Sequence, residues 1–317
     1  MSRIHEALKK AELERAAQTS DGAPPFNLQS PDGPNGNSAA SVAGAGTSVL
    51  ISPDREFGPS DGPLTFEQLQ AQCARPQWHL NASLNVFSDP EETGDAAEQF
   101  RTLRSRLYQL RGSQQLQTLL ITSPVPGDGK TFITSNLGHS IVRQPDRRAL
   151  LIDGDLRASR LHTHFGAPKT PGLSDYLRGD ADEMAVIQQG PDSGLFLIAG
   201  GNAAANPSEL LSNGKLKTLL DRVGPVFDWI ILDSPPCVPV ADARVIADLC
   251  DGVLLVLRAG ATPLASARKA SQELQGKNVV GVVLNTVKED AFAYSAYYGS
   301  AYDVRGAAKN SDKPKTA

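Results

Sequence analysis

The chain has 317 residues, which is enough for one large domain or two small ones. Its 31 Lys and Arg residues against 35 Asp and Glu give a net charge of −4, so no general attraction to nucleic acid is expected. No apolar run approaches the ~20 residues that span a bilayer, and the N-terminus lacks the apolar core of a signal peptide. We therefore expect a cytoplasmic protein that a partner must recruit if it works at a membrane.

The N-terminal part of the chain predicts three segments of different order. Residues 1–18 predict an amphipathic helix, because Ser2 can cap it and its apolar residues fall on one face. So short a helix is marginal alone, and it could either dock on a partner or fray in solvent. Residues 19–63 are rich in Gly, Pro, Ser and Asn, which predicts a disordered linker. Residues 64–90 hold more large apolar side chains and predict a short ordered arm.

A helix is predicted over residues 91–111, with two stripes of different character. Its apolar residues recur at helical spacing and should face a core; they are Phe100, Leu103, Leu107 and Leu110. Glu98, Arg101 and Arg104 form a second stripe, in the pattern E-x-x-R-x-x-R. A solvated charged face is the simpler interpretation, and spacing alone does not decide between that and a specific interface.

Residues 119–137 read LLITSPVPGDGKTFITSNL and predict a buried strand, a loop and a helix. The glycines of the loop allow backbone N–H groups to converge on an anion. Lys130 can reach the β- and γ-phosphates of a nucleotide, and the Thr131 hydroxyl can ligate Mg²⁺. The pattern departs from a complete P-loop at Pro124, where glycine is expected, and a glycine-rich surface turn is the alternative. The predicted ATP-binding residues of this stretch are Pro126, Gly127, Asp128, Gly129, Lys130, Thr131 and Phe132.

Aspartates end two of the predicted strands. Residues 149–152 form an apolar strand that leads into Asp153 and Asp155, and residues 229–232 form another that leads into Asp233. The carboxyl ends of parallel strands lie on the ligand-binding edge of an α/β sheet. There the carboxylates can hold Mg²⁺, orient its waters or accept a proton from an attacking hydroxyl. A simple strand-ending turn rich in Asp is the alternative.

Six apolar strands alternate with helices, which predicts an α/β fold with a mainly parallel sheet and right-handed crossovers. Besides those already given, the strands are predicted over residues 194–199, 252–257 and 279–284. Asn206 can cap a helix that starts at Pro207. Asn285, at the end of the last strand, could hydrogen-bond an adenine base, and a simple turn asparagine is the alternative.

The C-terminal tail is dense in tyrosine. Four of the six tyrosines of the chain fall in it, among Ala, Ser and Gly residues that build no apolar core: Tyr294, Tyr297, Tyr298 and Tyr302. From residue 291 onward, four basic residues exceed two acidic ones, which gives 4 − 2 = +2. A flexible, slightly basic tail of this kind suits a tyrosine-phosphate acceptor. An aromatic sticky tail or a low-complexity end is the alternative.

Taken together, residues 90–302 resemble the bacterial tyrosine kinases of capsule and exopolysaccharide systems. PGDGKT at 126–131 resembles the Walker A loop of that family, LLIDGDLR at 150–157 its Walker A′ box, and IILDSPP at 230–236 its Walker B box. EQFRTLR at 98–104, NPSELL at 206–211 and the tyrosine cluster match further family features in the same order. The opening MSRIHEALKKAE is similar to a soluble subgroup linked to exopolysaccharide loci with exosortase-type sorting. The departures are Pro124, where a small residue is usual, and Gly154, where Ala is common.

The resemblance implies a P-loop NTPase fold related to MinD- and ParA-type ATPases, flanked by a disordered N-terminal linker and a flexible tail. Residues 91–290 would form the kinase domain and residues 291–317 the tail with the phosphorylated tyrosines. The implied activity is ATP-dependent protein tyrosine autophosphorylation that regulates exopolysaccharide or capsule polymerisation and export. Lys130 would neutralise phosphate charge, Thr131, Asp155 and Asp233 would bind Mg²⁺, and Asp153 would receive the tyrosyl proton.

The resemblance also implies partners. It implies a membrane chain-length or co-polymerase protein that activates the kinase at the inner face of the plasma membrane, and a tyrosine phosphatase. It further implies a homo-oligomeric ring packed through Glu98, Arg101 and Arg104. A MinD- or ParA-like ATPase switch is the alternative, although it usually carries a second lysine where this chain has Val125. A nucleotide-binding scaffold without kinase activity is a third hypothesis, against which the intact Lys130 and aspartates speak.

Overall fold

The computed structural model describes residues 62–88 and 94–287. The predicted N-terminal helix, nearly all of the predicted linker and the tyrosine tail lie outside the described residues. Within these two ranges, no helix is long and apolar enough to cross a bilayer. Because these segments lie outside the described residues, the division of the chain into domains stays a prediction. Residues 94–287 are described without a gap.

In the described part of the chain, seven strands form a single sheet in the spatial order β3-β4-β2-β5-β1-β6-β7. All of the pairings are parallel except that of β3, which runs antiparallel to β4. The inner strands are buried along their whole length, as continuous apolar runs of a sheet covered on both faces should be. The strands are β1 Thr118–Thr122, β2 Ala149–Asp153, β3 Ile187–Gln189, β4 Leu195–Ile198, β5 Trp229–Asp233, β6 Gly252–Arg258 and β7 Val279–Asn285.

Helices cover both faces of the sheet and build one apolar core on each. One core holds Phe100 of α2, Ile133 and Leu137 of α3, and Phe165 of α4. The other core holds Leu216 of α8 among the side chains of α5, α7, α9 and α10. The helices are α1 Phe66–Gln72, α2 Asp95–Arg111, α3 Lys130–Val142, α4 Leu161–Phe165, α5 Leu173–Arg178, α6 Glu183–Val186, α7 Pro207–Ser212, α8 Lys215–Val223, α9 Asp242–Ala247 and α10 Leu264–Glu273, with 3₁₀ turns at Ala82–Leu84 and Gly224–Val226.

The predicted fold class is confirmed, and all six predicted strands are present. Sequence analysis missed the short strand Ile187–Gln189 because two of its three side chains are glutamines. Both glutamines are buried, and the side-chain amide of each donates a hydrogen bond: Gln188 to the Pro168 carbonyl at 2.9 Å and Gln189 to the Ser193 carbonyl at 3.0 Å. This antiparallel edge strand makes the sheet mixed and mainly parallel.

One predicted helix start and one predicted helix cap were wrong in detail. The long helix begins at Asp95 and not at residue 91, because Gly94 at its N-cap has an extended backbone with φ −72° and ψ 142°. Asn206 occupies the N-cap of α7, but its side chain makes no capping hydrogen bond. The Asn206 amide instead donates to Glu209 at 2.9 Å. Pro207 stands at the first helical position, as predicted.

An arm at residues 64–88 packs across the domain. Leu69, Trp78 and Phe87 bury their side chains, and Ala74 forms a parallel bridge with Gln188 at the sheet edge. The far end of the arm is fixed to α3 through Asn136, whose side chain accepts from the Val86 N–H at 2.9 Å and donates to the Leu84 carbonyl at 2.9 Å. The helix that follows the P-loop is thereby tied to the arm.

Replacing Asn136 by Ala is expected to lower the free energy of unfolding by about 2 kcal/mol, because two arm backbone groups lose their partner beside a buried helix. The arm should also be cleaved sooner in limited proteolysis. Chemical denaturation and proteolysis of the variant measure both effects. Ser105→Ala, at an exposed position of α2, is the control, and a denaturation midpoint equal to that of the wild type would contradict the role given to Asn136.

Candidate active site

The loop between β1 and α3 has the geometry of a phosphate cradle. Gly127 and Gly129 have φ of +87° and +98°, values that side chains with a Cβ rarely adopt. Gly129 is the N-cap of α3, a helix of 13 residues, so the positive end of the helix faces the loop. Lys130, the first residue of the helix, is only 8% exposed. The predicted strand, loop and helix are therefore confirmed, with Pro124 in place of the first glycine.

Two aspartates meet at the carboxyl edge beside this loop. Asp153 ends β2 and Asp233 ends β5, and the two are register partners in neighbouring parallel strands. The Thr131 hydroxyl of α3 donates to Asp233 Oδ2 at 2.6 Å. Asp155 lies two residues beyond β2 and is half-buried. The fold thus brings the lysine and the hydroxyl of the P-loop stretch together with the carboxylates, which sequence analysis had placed at the ends of two separate strands.

The close approach of β2 and β5 explains a departure from the family pattern. The Gly154 N–H donates to the Asp233 carbonyl at 2.8 Å. A Cβ at position 154 would lie 2.8 Å from that carbonyl oxygen and 2.9 Å from Ile246 Cδ1 of α9. Glycine at this position therefore lets the acidic loop pack directly on β5 and α9.

Burial governs the protonation of the two strand-end aspartates. Removal from water raises the pKa of Asp153 above its usual range, and hydrogen bonds from Ser159 and Leu161 oppose the shift only in part. Burial also raises the pKa of Asp233, and the neighbouring negative charge of Asp153 raises it further. Two carboxylates placed side by side in a dry site favour a bound cation, because a cation restores the charged form of both.

The oxygen atoms at this edge fit Mg²⁺ and a nucleotide. Thr131 and Asp233 offer a hydroxyl and a carboxylate within 2.6 Å of each other, and hard oxygen donors are the ligands that Mg²⁺ prefers. Among residues 62–88 and 94–287, no group of three or more His, Cys, Asp and Glu side chains is placed to hold a metal by itself. Magnesium in P-loop sites takes its remaining ligands from phosphates and water.

Two of the predicted ATP-binding residues make protein contacts that the sequence did not suggest. The Asn285 amide donates to the Asp128 carbonyl at 2.9 Å, and its oxygen accepts from the Thr286 N–H at 2.9 Å. The Phe132 ring packs edge-on against Phe100, with ring centroids 6.0 Å apart. The predicted hydrogen bond from Asn285 to adenine stays a prediction, and so does nucleotide binding by Phe132.

An ion pair between an exposed arginine and a buried aspartate near the site was missed by sequence analysis. Arg157, in the loop after β2, donates to Asp242 Oδ2 at 2.7 Å and to Oδ1 at 3.1 Å. The Asp242 side chain is fully buried, and the Ser208 hydroxyl of α7 donates to it as well. The sequence placed these residues in three separate segments and offered no signal that they meet. Together they fix the acidic loop to α7 and α9.

The predicted charged stripe of α2 is partly structural. Arg101 and Glu98 form an ion pair at 3.2 Å on the helix surface. Arg104 instead donates to the Ser140 carbonyl of α3 and is partly buried. Burial lowers the pKa of the Arg104 guanidinium. The simpler interpretation, a wholly solvated charged face, is therefore wrong for Arg104, while a role of the stripe in oligomerisation stays a prediction.

A P-loop at the carboxyl edge of a mainly parallel sheet, with aspartates ending two neighbouring strands, defines an α/β nucleotide-binding protein of the P-loop class. No protein-family model matches the chain. Individual proteins do, and the tyrosine-protein kinase YwqD of Bacillus subtilis is 32% identical over 218 residues, which cover 68% of this chain and 92% of YwqD. The chain therefore belongs to the bacterial tyrosine-protein kinases, and the predicted family is confirmed.

Further comparisons agree on the fold and on the kinase. The solved kinase domain of the Escherichia coli tyrosine kinase ETK is 33% identical, with a TM-score of 0.61 over 71% of this chain and 88% of that domain. The putative tyrosine-protein kinase EpsB of Ralstonia nicotianae is 35% identical over 65% of this chain. The match spans only 27% of the length of EpsB. These relatives favour the kinase over the ATPase switch among the hypotheses drawn from the sequence.

Proposed function

We propose that the protein is an ATP-dependent protein tyrosine autokinase that regulates the polymerisation and export of an exopolysaccharide or capsule. The observation that carries the proposal is the contact between the Thr131 hydroxyl and Asp233 beside the P-loop, next to Asp153. A site of this kind binds a nucleoside triphosphate and presents carboxylates where a second substrate approaches. The 32% identity to a tyrosine-protein kinase supports tyrosine as that substrate.

Each residue of the site has a role in this proposal. Lys130 and the loop amides bind the β- and γ-phosphates at the positive end of α3. Thr131, Asp233 and Asp155 would hold Mg²⁺, the last two through water. Magnesium, when bound, neutralises negative charge on the phosphates. Arg157 keeps the acidic loop in place through its ion pair with Asp242.

Asp153 is proposed to receive the proton of the attacking tyrosine. A free phenol has a pKa of about 10, so it needs a base in order to attack at neutral pH. The phenolic oxygen forms a bond to the γ-phosphorus, the bond from that phosphorus to the ADP oxygen breaks, and the proton passes to the carboxylate. Asp153 Oδ2 accepts from Ser159 at 2.7 Å and from Leu161 at 3.0 Å. Oδ1 accepts only the longer 3.2 Å bond from Asp155 in the described part of the chain, which favours Oδ1 as the proton acceptor.

The acceptor tyrosines are proposed to be Tyr294, Tyr297, Tyr298 and Tyr302, each entering the site of a neighbouring subunit in a ring. Each phosphate adds about −1.5 to −2 charges, so four would add about −6 to −8 to a tail that starts near +2. Such a tail would leave a site that holds phosphates and aspartates. Phosphorylation would therefore loosen the ring, and a tyrosine phosphatase would be needed to rebuild it.

We further propose that a membrane chain-length or co-polymerase protein completes the nucleotide site and recruits the kinase to the inner face of the plasma membrane. The proposal rests on the family to which the chain belongs. The isolated protein is then a slow kinase. Full activity of the isolated protein, unchanged by membrane extract, would contradict it.

The proposed ring predicts that the mass of the particle in solution changes with phosphorylation and with mutation of the stripe. Arg101→Ala combined with Arg104→Ala should be monomeric and poorly phosphorylated, because the E-x-x-R-x-x-R stripe would pack one subunit on the next. Light scattering should find the unphosphorylated wild type oligomeric with Mg²⁺ and the phosphorylated form monomeric.

Arg104 also anchors α2 to α3, so the controls must separate interface from fold. Arg101→Ala alone keeps that contact, and Arg106→Ala removes an exposed arginine of the same helix outside the stripe. The first should weaken the oligomer and the second should not. Equal masses for phosphorylated and unphosphorylated wild type would refute the ring and leave the kinase intact.

The proposed function is tested by replacing the four tail tyrosines with phenylalanine. The variant should bind ATP as the wild type does and should carry no phosphate after incubation with labelled ATP and Mg²⁺. Residue-by-residue phosphate mapping of the wild type should find the label between residues 294 and 302. Undiminished labelling of the variant would show that the tail is not the acceptor.

A further inference from the structure

Asp128 of the P-loop is buried, with 2% of its surface exposed, and it accepts hydrogen bonds from three other residues. Its Oδ1 accepts from the Thr262 hydroxyl at 2.7 Å. Its Oδ2 accepts a longer 3.4 Å bond from the Val125 N–H, on the other limb of the same loop. Its carbonyl accepts from the Asn285 amide at 2.9 Å. One residue of the cradle is therefore held by Thr262, which follows β6, and by Asn285, at the carboxyl end of β7.

The direction of the Thr262 hydroxyl is fixed. Thr262 lies in the turn between β6 and α10, and its oxygen accepts from the Arg258 N–H at 2.7 Å. The Thr262 N–H donates to the Arg258 carbonyl at 2.9 Å, which closes the turn. A carboxylate only accepts, so the single hydroxyl proton of Thr262 is directed at Asp128. The result is a charge-assisted hydrogen bond between segments 134 residues apart.

Asn285 supports the same loop from a second side. Its oxygen accepts from the Thr286 N–H, which turns its NH₂ group toward the P-loop. A Cβ on Gly129 would lie 2.0 Å from Asn285 Nδ2, so the amide fills the space above the residue that precedes Lys130. The following residue, Thr286, has φ of +58° and leads directly into the C-terminal segment.

We infer that Thr262 and Asn285 are positioning residues that hold the P-loop in its phosphate-binding form through Asp128. The loop contains two glycines at positive φ, and glycine loses more conformational freedom on ordering than any other residue. A loop already held in the bound form binds its ligand more tightly, because it loses little further conformational entropy when the ligand binds. The inference rests on the proposed function only in that the cradle binds a nucleotide.

The inference is tested on the positioning residues, with the full chain.

Thr262→Val keeps the shape of the side chain and removes the hydroxyl. It should weaken binding of a fluorescent ADP analogue about tenfold, the factor expected for losing a hydrogen bond to a buried charge. Thr262→Ser keeps the hydroxyl and should bind within about twofold of the wild type. Thr218→Val, at an exposed position of α8, is the matched control and should also bind as the wild type.

A double-mutant cycle with Asp128→Ala identifies the path of the effect. If Thr262 acts through Asp128, then Thr262→Val should add little to Asp128→Ala, so the double variant should bind about as weakly as Asp128→Ala alone. Asn285→Ala also removes a contact to the loop, but because Asn285 is itself a predicted adenine contact, the test of the inference relies on Thr262 and Asp128. Melting temperatures without nucleotide report any loss of fold.

Two outcomes would overturn the inference. One is binding of the ADP analogue by Thr262→Val within about twofold of the wild type, and the other is multiplication of the Thr262→Val and Asp128→Ala effects in the double variant. Binding of the ADP analogue is measured without any phosphate transfer. A chain that shows the expected binding pattern but phosphorylates no tyrosine would refute the kinase and keep the positioning role, whereas a competent kinase with unchanged binding by Thr262→Val would do the reverse.

Discussion

Lys130→Met is expected to reduce phosphate transfer by at least about 10²–10³-fold, and to weaken ATP binding strongly. Methionine has nearly the length of lysine and none of its charge, so the variant keeps the packing and loses the cation in the cradle. Lys130 is the first residue of α3 and only 8% exposed, so water cannot replace its contact with phosphate easily. Incorporation of labelled phosphate and titration with a fluorescent nucleotide measure the two losses.

The matched control is Lys169→Met, which makes the same change at an exposed position away from the P-loop. It should transfer phosphate as the wild type does. Transfer by Lys130→Met at more than a tenth of the wild-type rate would mean that Lys130 does not neutralise charge on the transferred phosphate.

Asp153→Asn is expected to lower transfer by about 10²–10⁴-fold while it leaves most of the nucleotide binding intact. Asparagine keeps the size of the side chain and one acceptor oxygen for Ser159 and Leu161, but it cannot take up the tyrosyl proton. Binding and single-turnover transfer are measured on the same preparation. If the ratio of transfer rate to nucleotide affinity falls in Asp153→Asn and in neither of the other two aspartate variants, Asp153 is identified as the proton acceptor.

Asp155→Asn and Asp233→Asn separate that role from metal binding. Both should weaken the magnesium-dependent part of nucleotide binding, because their carboxylates are proposed to hold the ion. Equal loss of binding and transfer in Asp153→Asn would place Asp153 with these residues and remove it as the base.

The sheet and the P-loop could be predicted because each rests on local sequence. A continuous apolar run such as LLIT before GDGKT predicts a buried strand, and the glycines that follow predict the loop. The strand Ile187–Gln189 could not be found in this way, because two of its three side chains are glutamines, which give no apolar signal although both are buried. The predicted start of α2 and the predicted capping role of Asn206 were wrong for a related reason. Helix caps depend on backbone angles, which composition does not define.

The site could be predicted in its residue types but not in its contacts. The acidic strand ends were identifiable because parallel strands present their carboxyl ends at one edge. The ion pair between Arg157 and Asp242 joins residues 85 apart, and the bond between Thr262 and Asp128 joins residues 134 apart. No local pattern encodes such pairs. Asn285 illustrates the difference, because its position at a strand end was evident and its hydrogen bond to Asp128 was not.

A single-turnover reaction with γ-labelled ATP and Mg²⁺ tests the central claim most directly, because it asks where the γ-phosphate goes. The account predicts that the label appears as phosphotyrosine within residues 294–302, and that Lys130→Met leaves the ATP uncleaved. Label released as inorganic phosphate, with the protein itself unlabelled in the presence of membrane extract, would contradict the kinase and identify the protein as an ATPase switch.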